Sequence, residues 1–136
     1  MTIKSVPIIH ELNNRFHRTD GPAIEYINGD KYWYIDGKRH RIDGPAVERP
    51  DGTKKWWIND KRHRTDGPAV ECTDGYKAWW VDGKLHRTDG PAIEYPNGTK
   101  YWYINRESIT VENYQSFVND HPDLINQFLA YQMLNE

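Results

Sequence analysis

The amino-acid sequence predicts a mainly β protein: an elongated, twisted antiparallel sheet of stacked β-hairpin repeats, closed by a C-terminal two-helix cap. Three observations carry that expectation. The tetrapeptide Asp-Gly-Pro-Ala begins at Asp20, Asp43, Asp66 and Asp89, always 23 residues apart. A fixed period of this length is the signature of a repeat architecture. Between consecutive copies stand an Asn-Gly or Asp-Gly pair and then an aromatic run, Lys-x-Trp-(Trp/Tyr)-(Ile/Val). The pattern then stops. All 18 Lys and Arg residues lie at or before Arg106, and five acids (Glu107, Glu112, Asp120, Asp123 and Glu136) follow it with no base among them. The chain divides accordingly into a hairpin-repeat region over residues 1–106 and a helical cap over residues 107–136. The repeat region comprises a half-repeat over residues 1–16 and four 23-residue units.

The half-repeat is read from alignment. Leu12 to Arg18 falls on Ile35 to Arg41, while His10 and Glu11 replace the aromatic pair. A worn first copy suits an N-terminal cap, whose outer edge faces water. Each full unit then holds two strands, for example Ala23–Tyr26 and Lys31–Ile35. The pairs Asn28-Gly29, Asp51-Gly52, Asp74-Gly75 and Asn97-Gly98 join them, and such pairs supply the positive φ of tight hairpin turns. A second turn follows at Asp36-Gly37, Asn59-Asp60 and Asp82-Gly83; Asp60 tolerates left-handed geometry better than most residues. Pro22, Pro45, Pro68 and Pro91 have no N–H to give to a ladder and should open strands. One hairpin is not stable alone in water, but stacked hairpins cover one another's edges. In the fourth unit the pattern breaks off after Ile104. Val111, Tyr114, Phe117 and Val118 then recur at helical spacing behind Thr110 as N-cap. Pro122 ends that helix and starts another, capped by Asp120 or His121, with Leu124, Ile125, Phe128, Leu129 and Met133 as its apolar stripe.

Composition narrows the function classes. With 136 residues the natural expectation is one domain. Six Trp and nine Tyr set against few aliphatic residues suit a thin aromatic layer. The net charge of −2 argues against a polyanionic partner bound by overall field. Cys72, the single cysteine, excludes an internal disulfide. The N-terminus lacks a signal-peptide h-region and no apolar run could cross a bilayer, so the expectation is a soluble cytoplasmic protein with no membrane span.

Three sets of recurring residues could carry function. His17, His40, His63 and His86 invite a metal reading, but equivalent atoms of stacked units stand about 10 Å apart, too far to share one ion. Each His-Arg pair is expected to bond the Asp and Glu of its own or the next unit, such as Asp43 and Glu25. Catalysis finds no support. Ile42 takes the place of Thr19, Thr65 and Thr88, and Cys72 occupies a variable position with no recurring base. No catalytic residue, metal or cofactor is expected.

The aromatic pair is the stronger lead. Trp33, Trp56, Trp79 and Trp102 share one face with Ile35, Ile58, Val81 and Ile104 and are assigned to the covered side. Tyr34, Trp57, Trp80 and Tyr103 then point the other way. Partly exposed, they would form a contact stripe; the alternative is cross-strand packing that stiffens a narrow sheet. The basic residues Arg41, Arg64 and Arg87, with the lysines near them, form a second candidate stripe, able to contact phosphates unless the Asp and Glu of each unit neutralise it.

A 23-residue hairpin unit with Gly turns and aromatic strands resembles the MORN-type repeats. The wording His-Arg-x-Asp-Gly-Pro-Ala is similar to a repeat of bacteriophage and bacterial proteins. The likeness covers roughly residues 12–105, although MORN repeats are usually richer in Gly and Tyr. It implies an elongated sheet that binds proteins or, in some members, lipids, and no catalytic site. The function expected is a non-enzymatic protein-binding scaffold. The phage likeness implies a phage-encoded factor that engages a host protein, including a defence component, in the host cytoplasm. The second reading is nucleic-acid or phosphorylated-ligand binding through the Lys/Arg stripe. Ribbon edges and cap helices also permit a homodimer.

Overall fold

The structure, a computed structural model, describes residues 6–135. The first five residues of the expected half-repeat, and Glu136, lie outside the described residues. Nine two-residue strands make one antiparallel meander in chain order: Ile8–Ile9, Ile24–Glu25, Lys31–Tyr32, Val47–Glu48, Lys54–Lys55, Val70–Glu71, Lys77–Ala78, Ile93–Glu94 and Lys100–Tyr101. Stacked β-hairpins in an antiparallel sheet are therefore the architecture, as the period predicts. The register alternates charge across the sheet. Glu48 stands opposite Lys31 and Lys54, and Glu71 opposite Lys54 and Lys77, so like charges never face each other. The adjacent row is mostly apolar: Ile24, Tyr32, Val47, then Lys55, then Val70, Ala78 and Ile93.

The aromatic strand is not continuous. It breaks at Trp33, Trp56, Trp79 and Trp102 into a piece that joins the meander and a piece that starts a separate hairpin. The five hairpins pair Glu11–Leu12 with Arg15–Phe16, Tyr34–Ile35 with Lys38–Arg39, Trp57–Ile58 with Lys61–Arg62, Trp80–Val81 with Lys84–Leu85, and Tyr103–Ile104 with Glu107–Ser108. Trp33 marks the corner. Its N–H donates to Ala46 O in the next unit at 2.8 Å, and its carbonyl accepts from His40 N–H at 3.1 Å. The two turns of each unit also differ. At the hairpin tips both central residues have positive φ, for example Asp36 (49°) and Gly37 (77°), the geometry that matches strand twist. In the other turn only the glycine does, as at Gly29 (99°), and Gly29 N–H bonds Tyr26 O. That is a type I turn followed by a left-handed Gly, a three-residue loop rather than the two-residue one the Asn-Gly pair suggests.

Two expectations about the C-terminal part are corrected. The fourth unit does complete its hairpin, with Asn105 (48°) and Arg106 (74°) accepting the left-handed turn despite the altered sequence. The cap holds one α-helix, α1 (Pro122–Leu134), and a four-residue 3₁₀ helix over Tyr114–Phe117, in place of two α-helices. Asn113 explains the difference. Its side chain accepts from Thr110 N–H at 2.7 Å and donates to Ser108 O at 2.8 Å, fixing a turn where a helix would need to propagate. His121 occupies the N-cap position of α1, with Pro122 in its first turn and no side-chain cap bond.

The largest core sits under this cap. Trp102, Ile104, Ile109 and Phe117 pack with Leu124, Ile125 and Phe128. Trp102 meets Phe128 edge-on at 5.6 Å and Tyr131 at 5.0 Å. The Tyr131 hydroxyl accepts from Lys100 N–H at 3.2 Å, so α1 occupies a donor of the last strand, which would otherwise be an open edge. Two smaller clusters, around Val47 with Trp57 and around Val70 with Ala78 and Ile93, hold the middle of the ribbon.

Candidate functional site

The motif residues build one device that recurs in each unit. The Arg41 guanidinium lies 4.0 Å from the Trp33 ring centroid, with Arg64 over Trp56 and Arg87 over Trp79, each at 3.8 Å. Arg41 Nε donates to Asp43 at 3.0 Å, and Nη1 donates to Pro45 O at 3.0 Å and to Glu48 at 3.1 Å. The far side of the guanidinium rests on Gly44, where a Cβ would stand 2.9 Å from Arg41 Cζ. The Gly of Asp-Gly-Pro-Ala is thus set by contact with a flat cation, since its φ is not left-handed. Trp102 shows the same requirement by its exception. Thr110 stands where the fifth Arg would be, and α1 covers the indole in its place.

The histidines link units. His17, His40, His63 and His86 each accept at Nδ1 from the backbone N–H of Asp36, Asn59, Asp82 and Asn105, at 3.0 to 3.1 Å. The expected bonds to Asp and Glu are made by the arginines; the imidazoles hold the next unit's tip turn. Burial lowers the pKa of His86, and nearby His121 lowers it further. Arg18 and Arg64 hold Asp20 and Asp66 below the usual carboxylate range, and Thr53 does so for Asp51.

Three equivalent clefts run along this edge, of about 680, 760 and 570 Å³. Their floors are Trp33 with Ile35, Trp56 with Ile58, and Trp79 with Val81. Each is bounded by two loops, so that each wall carries one Arg and one Asp and the lining is electrically balanced. Ile42, 84 % exposed, stands between the first two clefts.

The expected sidedness of the aromatics holds for Trp102 and for the partly exposed Tyr34, Trp80 and Tyr103, and not for the other four. Trp33, Trp56 and Trp79 are half-buried under their arginines, and only Trp102 is buried. In the second row Trp57 is buried against Ala46 and Val47, while Tyr34, Trp80 and Tyr103 are half-buried. The corner at each first Trp breaks the period-2 alternation, so neither row is wholly inside or outside. Arg41, Arg64 and Arg87 line the clefts with their charge taken up by Asp, Glu and a proline carbonyl. The sequence carried the signal for the clefts in one fixed spacing, Arg eight residues after Trp, three times over.

A fourth cleft, of about 480 Å³, lies between the hairpins 57–62 and 80–85 and has a different character. Lys61, Arg62, Lys84 and Arg106 line it with Trp57 and Trp80. Among the described residues no three His, Cys, Asp or Glu side chains are grouped to hold a metal ion, and no helix is long and apolar enough to cross a membrane. No family model, curated protein or solved structure matches the chain.

Proposed function

We propose that the chain is a non-enzymatic protein-binding scaffold that receives an extended segment of a partner protein along the three equivalent clefts. The observation that carries this reading is their recurrence in register. Equivalent points of adjacent units lie about 10 Å apart, which three residues of extended chain also span. In a segment of polyproline II form, which rises about 3.1 Å per residue and presents every third side chain to the same side, those side chains would enter Trp33–Ile35, Trp56–Ile58 and Trp79–Val81 in turn. The balanced lining supports a polypeptide over nucleic acid, because Arg41, Arg64 and Arg87 have no charge left over for phosphates. The likeness to phage repeats makes a host protein the first partner class to try. The test is capture of a partner from host extract by immobilised protein, compared with Ile42→Asp plus Thr65→Glu, two exposed positions between clefts. Capture by the wild type and loss in the folded variant support the reading; equal capture by both removes it.

A further inference from the structure

The fourth cleft holds a cation that the fold leaves unpaired. Arg39 and Arg62 are equivalent positions in successive units. Arg39 donates to Asp60, through its backbone N–H at 2.9 Å and its Nε at 3.2 Å. One period later the residue at the place of Asp60 is Gly83, so Arg62 meets no carboxylate. Arg62 is half-buried, its Nε is fully covered without an acceptor, and it makes no ion pair among the described residues. Its guanidinium lies between two indoles, 5.3 Å from the Trp57 centroid and 5.1 Å from that of Trp80. Trp57 Nε1 and Trp80 Nε1 are also buried donors without acceptors, as is Trp102 Nε1 under the cap. An exposed arginine can leave its pairing to water, whereas a partly desolvated one carries a cost unless an anion joins it.

The surroundings add positive charge. Lys61, Lys84 and Arg106 stand around Arg62, against Asp60 and Asp82. Asp60 is engaged by Arg39. The other three clefts each balance two Arg with two Asp. On the neighbouring sheet face Lys55 is half-buried among apolar residues, and its pKa is lowered by burial and then by Arg49, Arg62 and Arg39.

We propose that the cleft between hairpins 57–62 and 80–85 is an anion site for a phosphate oxyanion, free or as a monoester, with Arg62 as its main ligand and Lys61, Lys84 and Arg106 around it. A dianion matches the excess of four cations over two acids in the walls. A guanidinium can hold two phosphate oxygens in parallel, which the lysines cannot. The cleft is larger than a phosphate group alone, leaving space for an ester substituent.

Two variants are written into the repeat itself. Arg62→Leu installs the residue that the next unit carries at Leu85. Gly83→Asp installs the carboxylate that Asp60 gives to Arg39, at a φ (76°) close to that of Asp60 (65°). Calorimetric titration with inorganic phosphate and with glycerol 2-phosphate, against sodium chloride of equal ionic strength, reads the site. The wild type is expected to bind saturably, and each folded variant at least tenfold more weakly. The tighter of the two probes identifies whether the source is free phosphate or an ester. No saturable binding by the wild type to either probe, or unchanged binding in whichever variant folds, overturns the proposal.

Discussion

Nδ1 of His40 accepts a 3.1 Å hydrogen bond from the backbone N–H of Asn59, nineteen residues further on. The same bond recurs from His17 to Asp36, from His63 to Asp82 and from His86 to Asn105. Each ties one unit's loop to the next unit's tip turn, in which Asn59 has φ 47°. For Nδ1 to accept, the ring must be neutral with its proton on Nε2. Replacing His40 with Ala leaves the turn N–H to solvent and removes one link between neighbours. The expected loss is about 1 kcal/mol in urea unfolding, with no change in the slope of the transition.

Protonation should weaken the same link at the C-terminal end. The folded-state pKa of His86 is lowered, first by burial and then by His121. A lowered folded value means that protons bind the unfolded chain more readily. The contribution of neutral His86 is therefore complete above its ordinary value near 6.5 and is lost as pH falls through the lower folded value. The carboxylates act in a separate window. Asp20, Asp51, Asp60 and Asp66 have lowered values, so their contribution holds above about 4 and fades below it. Unfolding followed from pH 8 to pH 3 should show two declines, and His86→Gln should remove the sensitivity between pH 7 and 5 that is due to this residue.

Arg41 and Gly44 should behave as one unit. Gly44→Ala presses a methyl against a guanidinium that Asp43, Pro45 and Glu48 hold in place, with an expected cost of about 1–3 kcal/mol. Arg41→Ala loses the stacking on Trp33 and three hydrogen bonds. Once Arg41 is absent, Gly44→Ala should add little. A double-mutant cycle in chemical denaturation should therefore be strongly non-additive; additive losses would separate the two residues.

These particulars show how far the sequence could be read. The period, the turn residues and the pairing of strands follow from Asp-Gly-Pro-Ala and Asn-Gly spacing, because local chemistry sets them. The corner at Trp33 does not, since it depends on Ala46 one unit away accepting its N–H. The burial of the aromatic rows departs from expectation with it, at Trp33, Trp56 and Trp79 in the first row and at Trp57 in the second. The helical spacing of Val111, Tyr114 and Phe117 was real, but the Asn113 side chain competes for backbone groups that a helix needs. The unpaired state of Arg62 could have been found by comparing Asp60 with Gly83 in register. Nothing in a single unit reveals it.

The cap should carry more stability than its length suggests. Phe128 is 2 % exposed and meets Trp102, so Phe128→Ala should cost about 3–5 kcal/mol. Tyr131→Phe removes only the acceptor for Lys100 N–H and should cost about 1 kcal/mol. Phe128→Ala should also loosen the last strand and promote edge-to-edge association, which light scattering would detect.

The stacked units are interchangeable in register, and deletion tests that directly. Removing residues 66–88, one full period, rejoins Thr65 to Asp89 with every motif in phase. Removing residues 66–87 differs by a single residue and puts the following units out of phase. Near-UV circular dichroism and urea unfolding should show a fixed aromatic environment and a cooperative transition for the first variant and their loss for the second. Equal behaviour of the two deletions, or collapse of the in-phase one, would contradict the stacking described here.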